Sequence, residues 1–224
     1  YKTPLFKEIL NPFDDYDGHF TAARLGTLGI AINTDKIKTP PTQWSDLFKP
    51  EYKGAFGIAD PALSGTSYMS VALLEKKFGW DFFDKLHANG ARIGKGSGQV
   101  IDDTASGELG ASLAVDYITY DKIKKGAHIA LYYPPELLIA PSPVAIFKGT
   151  KNLDAAKKFV DYLLSKEAQA LIAGEGTLSV RPDVPSPEKL KLPPAADALK
   201  RSIKIDYVKM QDDKKATIKK FTDI

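Results

Sequence analysis

The sequence predicts an α/β fold with a mixed, mainly parallel sheet. Two observations carry this. Short apolar runs of strand length alternate with longer amphipathic segments, the pattern that packs helices on the faces of a sheet, and each short run is bounded by Gly, Pro, Asn or Asp. With 224 residues and 43% apolar content, the chain can bury one substantial core or two modest ones.

Strands are expected at residues 28–33, 54–59, 111–115, 128–133 and 143–147, each rich in β-branched or aromatic residues. A helix is expected over residues 68–78, directly after Ser64-Gly65-Thr66-Ser67. The strongest helical pattern covers residues 153–165, where Leu153, Ala156, Phe159, Val160, Leu163 and Leu164 recur at three- and four-residue spacing. That face requires a cover. Proline-rich stretches at 39–42, 133–143 and 181–194 read as connections, because proline restricts its own backbone and that of the residue before it. Residues 195–224 are expected to form terminal helices. The sequence has no internal repeat and no low-complexity tract.

Charge and composition narrow the function classes. The balance of 31 basic against 28 acidic residues leaves a net charge of +3, and the isoelectric point is near 8.8, values that suit an anionic ligand. The lysines at 122, 124 and 125 and at 214, 215, 219 and 220 have the spacing of solvated helix faces. They lack the interleaved aromatics of a nucleic-acid surface, so no nucleic-acid partner is expected. There are no cysteines, which removes disulfides, thiolate metal sites and cysteine nucleophiles. No run approaches the roughly 18 apolar residues of a transmembrane helix, so a soluble chain is expected. His19, His87 and His128 are scattered and lack metal-ligand spacing, and no nucleophile elbow, zinc-protease motif or phosphate loop occurs. No metal and no cofactor are expected. The glycine-rich run Gly94-Lys95-Gly96-Ser97-Gly98 reads as a flexible turn. Tyr1, with Pro4 and Phe6 close behind, reads as a start in mid-domain.

Two clusters are candidates for binding. Ser64 or Thr66 can cap the helix that follows, and the free N–H groups there, with the helix dipole and the hydroxyls, would form a cradle for an oxyanion; ordinary capping is the other reading. Asp116 ends a strand, with Tyr117 and Tyr120 beside it, at the edge where open α/β sheets bind ligands. Its carboxylate would accept from a ligand hydroxyl or ammonium group; alternatively it caps the next helix and the tyrosines are half-buried core.

The segment Ala59-Asp60-Pro61-Ala62-Leu63-Ser64-Gly65-Thr66-Ser67 resembles a signature of bacterial extracellular solute-binding proteins, in the group of ferric-iron, phosphonate and sugar-phosphate binders. Gly107-Glu108-Leu109-Gly110, Val115-Asp116-Tyr117, Tyr133-Pro134-Pro135-Glu136, Pro143-Val144-Ala145-Ile146-Phe147-Lys148-Gly149, residues 155–165 and Val180-Arg181-Pro182-Asp183 follow in the order of that family. Residues 29–35 and 41–47 resemble the entry into its second lobe. The resemblance implies a type II periplasmic-binding-protein fold of two α/β lobes with most of lobe one missing: residues 1–28 a remnant of lobe one and hinge, 29–138 lobe two, 139–175 the return to lobe one, and 176–224 hinge and C-terminal helices. It implies the substrate-binding component of an ABC importer, working with a permease in the periplasm or outside the cell, with a lipid anchor as one means of attachment. It binds a small anionic solute without making or breaking bonds. An enzyme on the same scaffold, or a sensor or interaction module reusing the lobe, are the alternatives. The implied ligand-binding residues are Ser64, Gly65, Thr66, Ser67, Asp116, Tyr117, Tyr120 and Glu136. Sugar-phosphate relatives carry His where this chain has Val115, ferric-iron relatives carry adjacent tyrosines where Tyr117 and Tyr120 are separated, and their Pro-Glu-Glu-Gly turn reads Pro134-Pro135-Glu136-Leu137 here.

Overall fold

The computed structural model describes residues 1–13, 18–186, 188 and 191–224. In chain order the elements are β1 (Phe20–Asn33), β2 (Phe56–Ala59), α1 (Gly65–Phe78), α2 (Asp81–Ala88), β3 (Arg92–Gly94), α3 (Ser97–Ser106), β4 (Ala111–Val115), α4 (Asp116–Lys124), β5 (Ile129–Tyr132), β6 (Leu138–Ala145), α5 (Leu153–Leu163), α6 (Lys166–Gly174), α7 (Ala195–Arg201), α8 (Tyr207–Asp212) and α9 (Lys214–Asp223). The sheet is mixed and runs β3-β2-β4-β1-β5, with β6 also paired to β1. β2 lies parallel to both β3 and β4, whereas β1 joins β4 and β5 antiparallel.

Local chemistry explains the boundaries. Ser64 caps α1 by accepting from the Ser67 N–H, and the helix stops at Gly79, whose φ of 75° suits a residue without a Cβ. α2 carries Asp81 and Asp84 in its first turn and Lys85 and His87 in its last, in agreement with the helix dipole. α3 ends at left-handed Gly107. All five residues of β4 are buried, as expected for an interior strand, and α3 and α4 both pack against it.

The chain divides into two compact units. Unit one comprises Tyr1–Thr27 and Ile139–Arg201; unit two comprises Leu28–Leu138 and Ser202–Ile224. The grouping of residues 176–224 as a single hinge and helical tail therefore does not describe the fold. Residues 176–201 belong to unit one, where Leu178 bridges Leu25 and the Val180 carbonyl accepts from the Leu10 N–H. Residues 202–224 return to unit two, where Phe221 packs edge-on against Phe83 at 5.4 Å and Lys214 stands over the Tyr68 ring.

Three further expectations need correction. Residues 138–145 form a strand although Pro141 and Pro143 lie in it; β6 pairs with β1 alone among the described residues, and an edge strand tolerates a missing N–H. β3 was not expected, because its three residues are too few to display a pattern. The apolar face of α5 is covered only in part: Val160 and Leu164 are buried, but Leu153 and Phe159 are exposed. The stretch 181–194 lies partly outside the described residues.

Buried polar side chains fix each unit. In unit one, the Gln169 amide donates to the carbonyls of Ala23 and Leu163, both at 2.8 Å, and accepts from the Ser179 hydroxyl and the Val180 N–H. Four partners are satisfied by one buried side chain. Gln169→Leu strands all four, so the unfolding free energy measured by urea denaturation should fall by about 2–4 kcal/mol. In unit two, buried Asp46 accepts from the Thr42 N–H at 2.7 Å, the Thr42 hydroxyl, the Gln43 N–H and the Lys49 ammonium at 2.8 Å. Burial pushes its carboxyl up, but Lys49 and the Thr42 and Gln43 donors outweigh that and hold it well below the ordinary range. Because the folded value is depressed, the stabilisation is fully present above the unfolded value of about 3.9 and drains away as pH falls below it. Acid unfolding curves of the native chain and Asp46→Asn should therefore be fully separated above about pH 5 and draw together only as pH falls well below 3, toward the depressed folded value.

Candidate functional site

β3, β2 and β4 run parallel as neighbours, so their carboxyl ends share one edge of the sheet. Each leads into a helix there: β2 into α1, β3 into α3, and β4 directly into α4. Three helix N-termini, with their unsatisfied N–H groups and positive dipole ends, converge on the edge where open α/β sheets take ligands.

At its centre stand three hydroxyls. Ser64 Oγ lies 3.1 Å from Thr66 Oγ1 and 3.0 Å from Ser97 Oγ, and Thr66 Oγ1 lies 2.9 Å from Ser97 Oγ. They form a closed triangle spanning the N-termini of α1 and α3, half-buried and within reach of solvent. Among the described residues, the N–H groups of Gly65, Thr66, Ser97 and Gly98 have no hydrogen-bond acceptor. The space around a Cβ at Gly65, Gly96 or Gly98 is open. Asp60 braces the loop between β2 and α1: its N–H donates to Gly94 O, its carbonyl accepts from Ser64 N–H and its carboxylate from Ala62 N–H. This ties the β2 loop to the end of β3 and brings Ser97 to Ser64.

The expected site residues separate into groups. Ser64 and Thr66 belong to the triangle and Gly65 lies between them. Ser67 does not face the opening: it is buried, its hydroxyl donates to the Ala59 carbonyl and its N–H to Ser64. Asp116 starts α4 on the same edge and is fully buried, with Oδ1 accepting from the Tyr117 N–H at 2.7 Å. The residue that caps α4 is Val115, and no side chain makes a cap hydrogen bond there. Tyr117 is exposed, and Tyr120 is half-buried beneath the Lys124 ammonium. Glu136 lies elsewhere. It lines a cavity of about 220 Å³ with Trp44, Phe48, Phe78 and Phe82, 4.0 Å from Lys77 at the far end of α1. At 1.5 Å per residue that end is about 20 Å from Ser64.

Ser97 was missed by sequence reading, which took its glycine run for a flexible turn. The run is the junction of β3 and α3. The available signal was a serine two residues before a short amphipathic segment, preceded by glycine, as at Gly65-Thr66. Among the described residues no cluster of three or more His, Asp or Glu side chains is placed to hold a metal ion, and no helix is long and apolar enough to cross a membrane.

A family model for bacterial extracellular solute-binding proteins matches residues 3–201. An uncharacterised protein of Haemophilus influenzae is 33% identical over 217 residues, covering 86% of this chain and 62% of the relative. The phosphoglycerate transport regulatory protein PgtC of Salmonella typhimurium is 29% identical over 164 residues, 70% of this chain and 41% of its own length. The chain thus spans between two fifths and two thirds of these relatives. Among solved structures, the periplasmic binding protein AfuA of Actinobacillus pleuropneumoniae, with fructose-6-phosphate bound, superposes with a TM-score of 0.78 at 29% identity, over 100% of this chain and 75% of AfuA. The fold is that of a type II periplasmic binding protein.

The geometry separates two neighbouring positions of α1 by experiment. Ser67→Ala removes the buried hydrogen bond to the Ala59 carbonyl and should lower the unfolding free energy by about 1–2 kcal/mol. Gly65→Ala meets no atom and gains helix propensity, so its stability in the same urea titration should be unchanged or raised by up to about 1 kcal/mol.

Proposed function

Since the chain belongs to the bacterial extracellular solute-binding protein family, we propose that it is part of the substrate-binding component of an ABC importer and receives a small phosphorylated solute at the Ser64, Thr66 and Ser97 triangle. The protein acts outside the cytoplasm, in the periplasm or at the cell surface, and delivers its solute to a membrane permease. Its chemistry is reversible binding, with no bond made or broken.

The observation that carries the reading is the triangle itself. Three hydroxyls within 3.1 Å of one another satisfy each other when no ligand is bound, and each can rotate outward to donate to a separate oxygen of a tetrahedral oxyanion. The free N–H groups at the starts of α1 and α3 add donors, and two helix dipoles favour negative charge at the same point. Donors disposed around a threefold arrangement suit phosphate better than a planar carboxylate. The names of the relatives agree in chemistry: phosphoglycerate for PgtC and fructose-6-phosphate for AfuA. In this reading Tyr117, exposed at the start of α4, contacts the remainder of the solute.

Calorimetry on the longest natural polypeptide containing these residues tests the reading, with fructose 6-phosphate, phosphoglycerate and inorganic phosphate against unphosphorylated fructose. The phosphorylated compounds should bind and fructose should not. Ser97→Ala and Thr66→Pro should each weaken binding by about ten- to a hundredfold, since a charge-assisted hydrogen bond contributes about 1.5–3 kcal/mol. Equal binding of fructose and its phosphate would exclude the site.

A further inference from the structure

The helix that opens the candidate site is held by a segment of unit two that takes no part in it, Ser202–Ile224. Tyr68 lies one turn into α1, and its N–H donates to the Ser64 carbonyl at 2.9 Å, closing the first turn around Gly65 and Thr66. Its buried side chain reaches the junction of α8 and α9. There the phenol donates to the Met210 carbonyl, in the last turn of α8 where intrahelical donors run out. The Lys214 ammonium, at the start of α9, stands 5.5 Å from the ring centroid. Farther along α1 the Lys76 ammonium donates to the Lys204 carbonyl at 2.7 Å. Between these two contacts lies a cavity of about 460 Å³, lined by Tyr68, Leu73, Glu75, Lys76, Met210 and Thr217, so α8 rests on α1 at points and the grip on Tyr68 is concentrated. α9 has a separate hold on unit two: Phe221 packs against Phe83 at 5.4 Å and Lys220 stands 4.9 Å from the Trp80 ring centroid. Loss of the Tyr68 contact therefore leaves the segment docked and the chain folded.

We infer that the α8–α9 junction is a brace for the candidate site and that Tyr68 is its positioning residue: without touching solute, it sets the height and rotation of the first turn of α1 at which Ser64 and Thr66 meet Ser97. The triangle closes because Ser64 Oγ and Thr66 Oγ1 lie 3.0 and 2.9 Å from Ser97 Oγ, and Ser97 belongs to a loop fixed on its other side by the Asp60 bond to Gly94. A hydroxyl displaced by about 1 Å from such a distance no longer makes the hydrogen bond. Tyr68 is four residues from Ser64, about 6 Å along the helix axis, so slack at Tyr68 becomes movement of similar size at the triangle. Ser67, bonded to the Ala59 carbonyl, ties the same turn to the sheet; Tyr68 ties it to α8 and α9. Sites held this closely depend on supporting contacts behind the groups that bind. The effect of the brace on affinity rests on the phosphate reading above, and its effect on geometry does not.

Residues 1–224 contain no cysteine, so closure of the triangle can be read from a disulfide between Thr66→Cys and Ser97→Cys, which forms only where the two Cβ atoms approach closely. The effective concentration of this thiol pair is measured by exchange with glutathione in the longest natural polypeptide containing these residues, with Ser97→Cys alone as background. Adding Tyr68→Phe or Lys214→Ala should lower it by about three- to tenfold, whereas Lys214→Arg, which keeps a cation over the ring, should leave it unchanged. Calorimetry without the cysteines should show fructose 6-phosphate bound about three- to tenfold more weakly by Tyr68→Phe and Lys214→Ala, and as in the native polypeptide by Lys214→Arg. Asp46→Asn, which lowers stability away from the triangle, should change neither quantity. An unchanged effective concentration in Tyr68→Phe, or an equal fall in Asp46→Asn, overturns the inference, as does a fall with unchanged affinity. A fall in a polypeptide that binds none of the phosphorylated compounds supports the brace and removes the phosphate reading instead.

Discussion

β4 is the element on which unit two depends. Its five residues are buried, it pairs parallel with β2 on one side and antiparallel with β1 on the other, and α3 and α4 pack against it. Such a strand permits little freedom of register, because a slip of one residue would turn each side chain to the opposite face. Thr104 Oγ1 of α3 lies 2.7 Å from the Val100 carbonyl and 2.8 Å from Ser112 Oγ, so the polar atom within β4 is satisfied and α3 is held at one height along it. Buried Asn33 extends the tie: its amide donates to the Thr104 carbonyl at 3.0 Å, and its Oδ1 accepts from the N–H groups of Asp35 and Lys36 where β1 ends.

The candidate site follows from that register. With β2 fixed parallel to β4, and β3 to β2, three strands deliver their carboxyl ends to one edge, and the helices that follow must begin there. Helix starts supply unsatisfied donors in any protein. What distinguishes this edge is that two of them place hydroxyls within hydrogen-bond distance of each other, from segments more than thirty residues apart in sequence. The Asp60 backbone bond to Gly94, at 2.7 Å, is the local reason the two loops meet.

Unit one is held in another way. Gln169 and Arg181, both buried, bind segments distant in sequence: Gln169 joins β1 to residues 163 and 179–180, and Arg181 pairs with Glu8 and Asp183, each at 2.8 Å. The carboxylates raise the guanidinium further above its already high ordinary value, Asp183 first and Glu8 after it, so the charge is retained at every accessible pH. Polar connections of this kind specify which segments meet, but they bury little apolar area. This agrees with the exposed side chains on α5 and at Phe147.

The sequence by itself determined the alternation of strands and helices, the caps at Ser64 and the strand end at Asp116, because these depend on residues close in the chain: a period, a hydroxyl before a helix, a turn. It also determined the family, since ordered motifs along the chain need no three-dimensional knowledge to be recognised. The tertiary structure alone decided which helix starts share an edge, and so added Ser97, turned Ser67 inward and moved Glu136 to the far end of α1. Those outcomes rest on strand order and register, which arise from pairings between segments distant in sequence and leave no local pattern. Proline placement shows the same division. Pro141 and Pro143 argue against a strand by local rules, and only the position of β6, paired to β1 alone among the described residues, makes them acceptable.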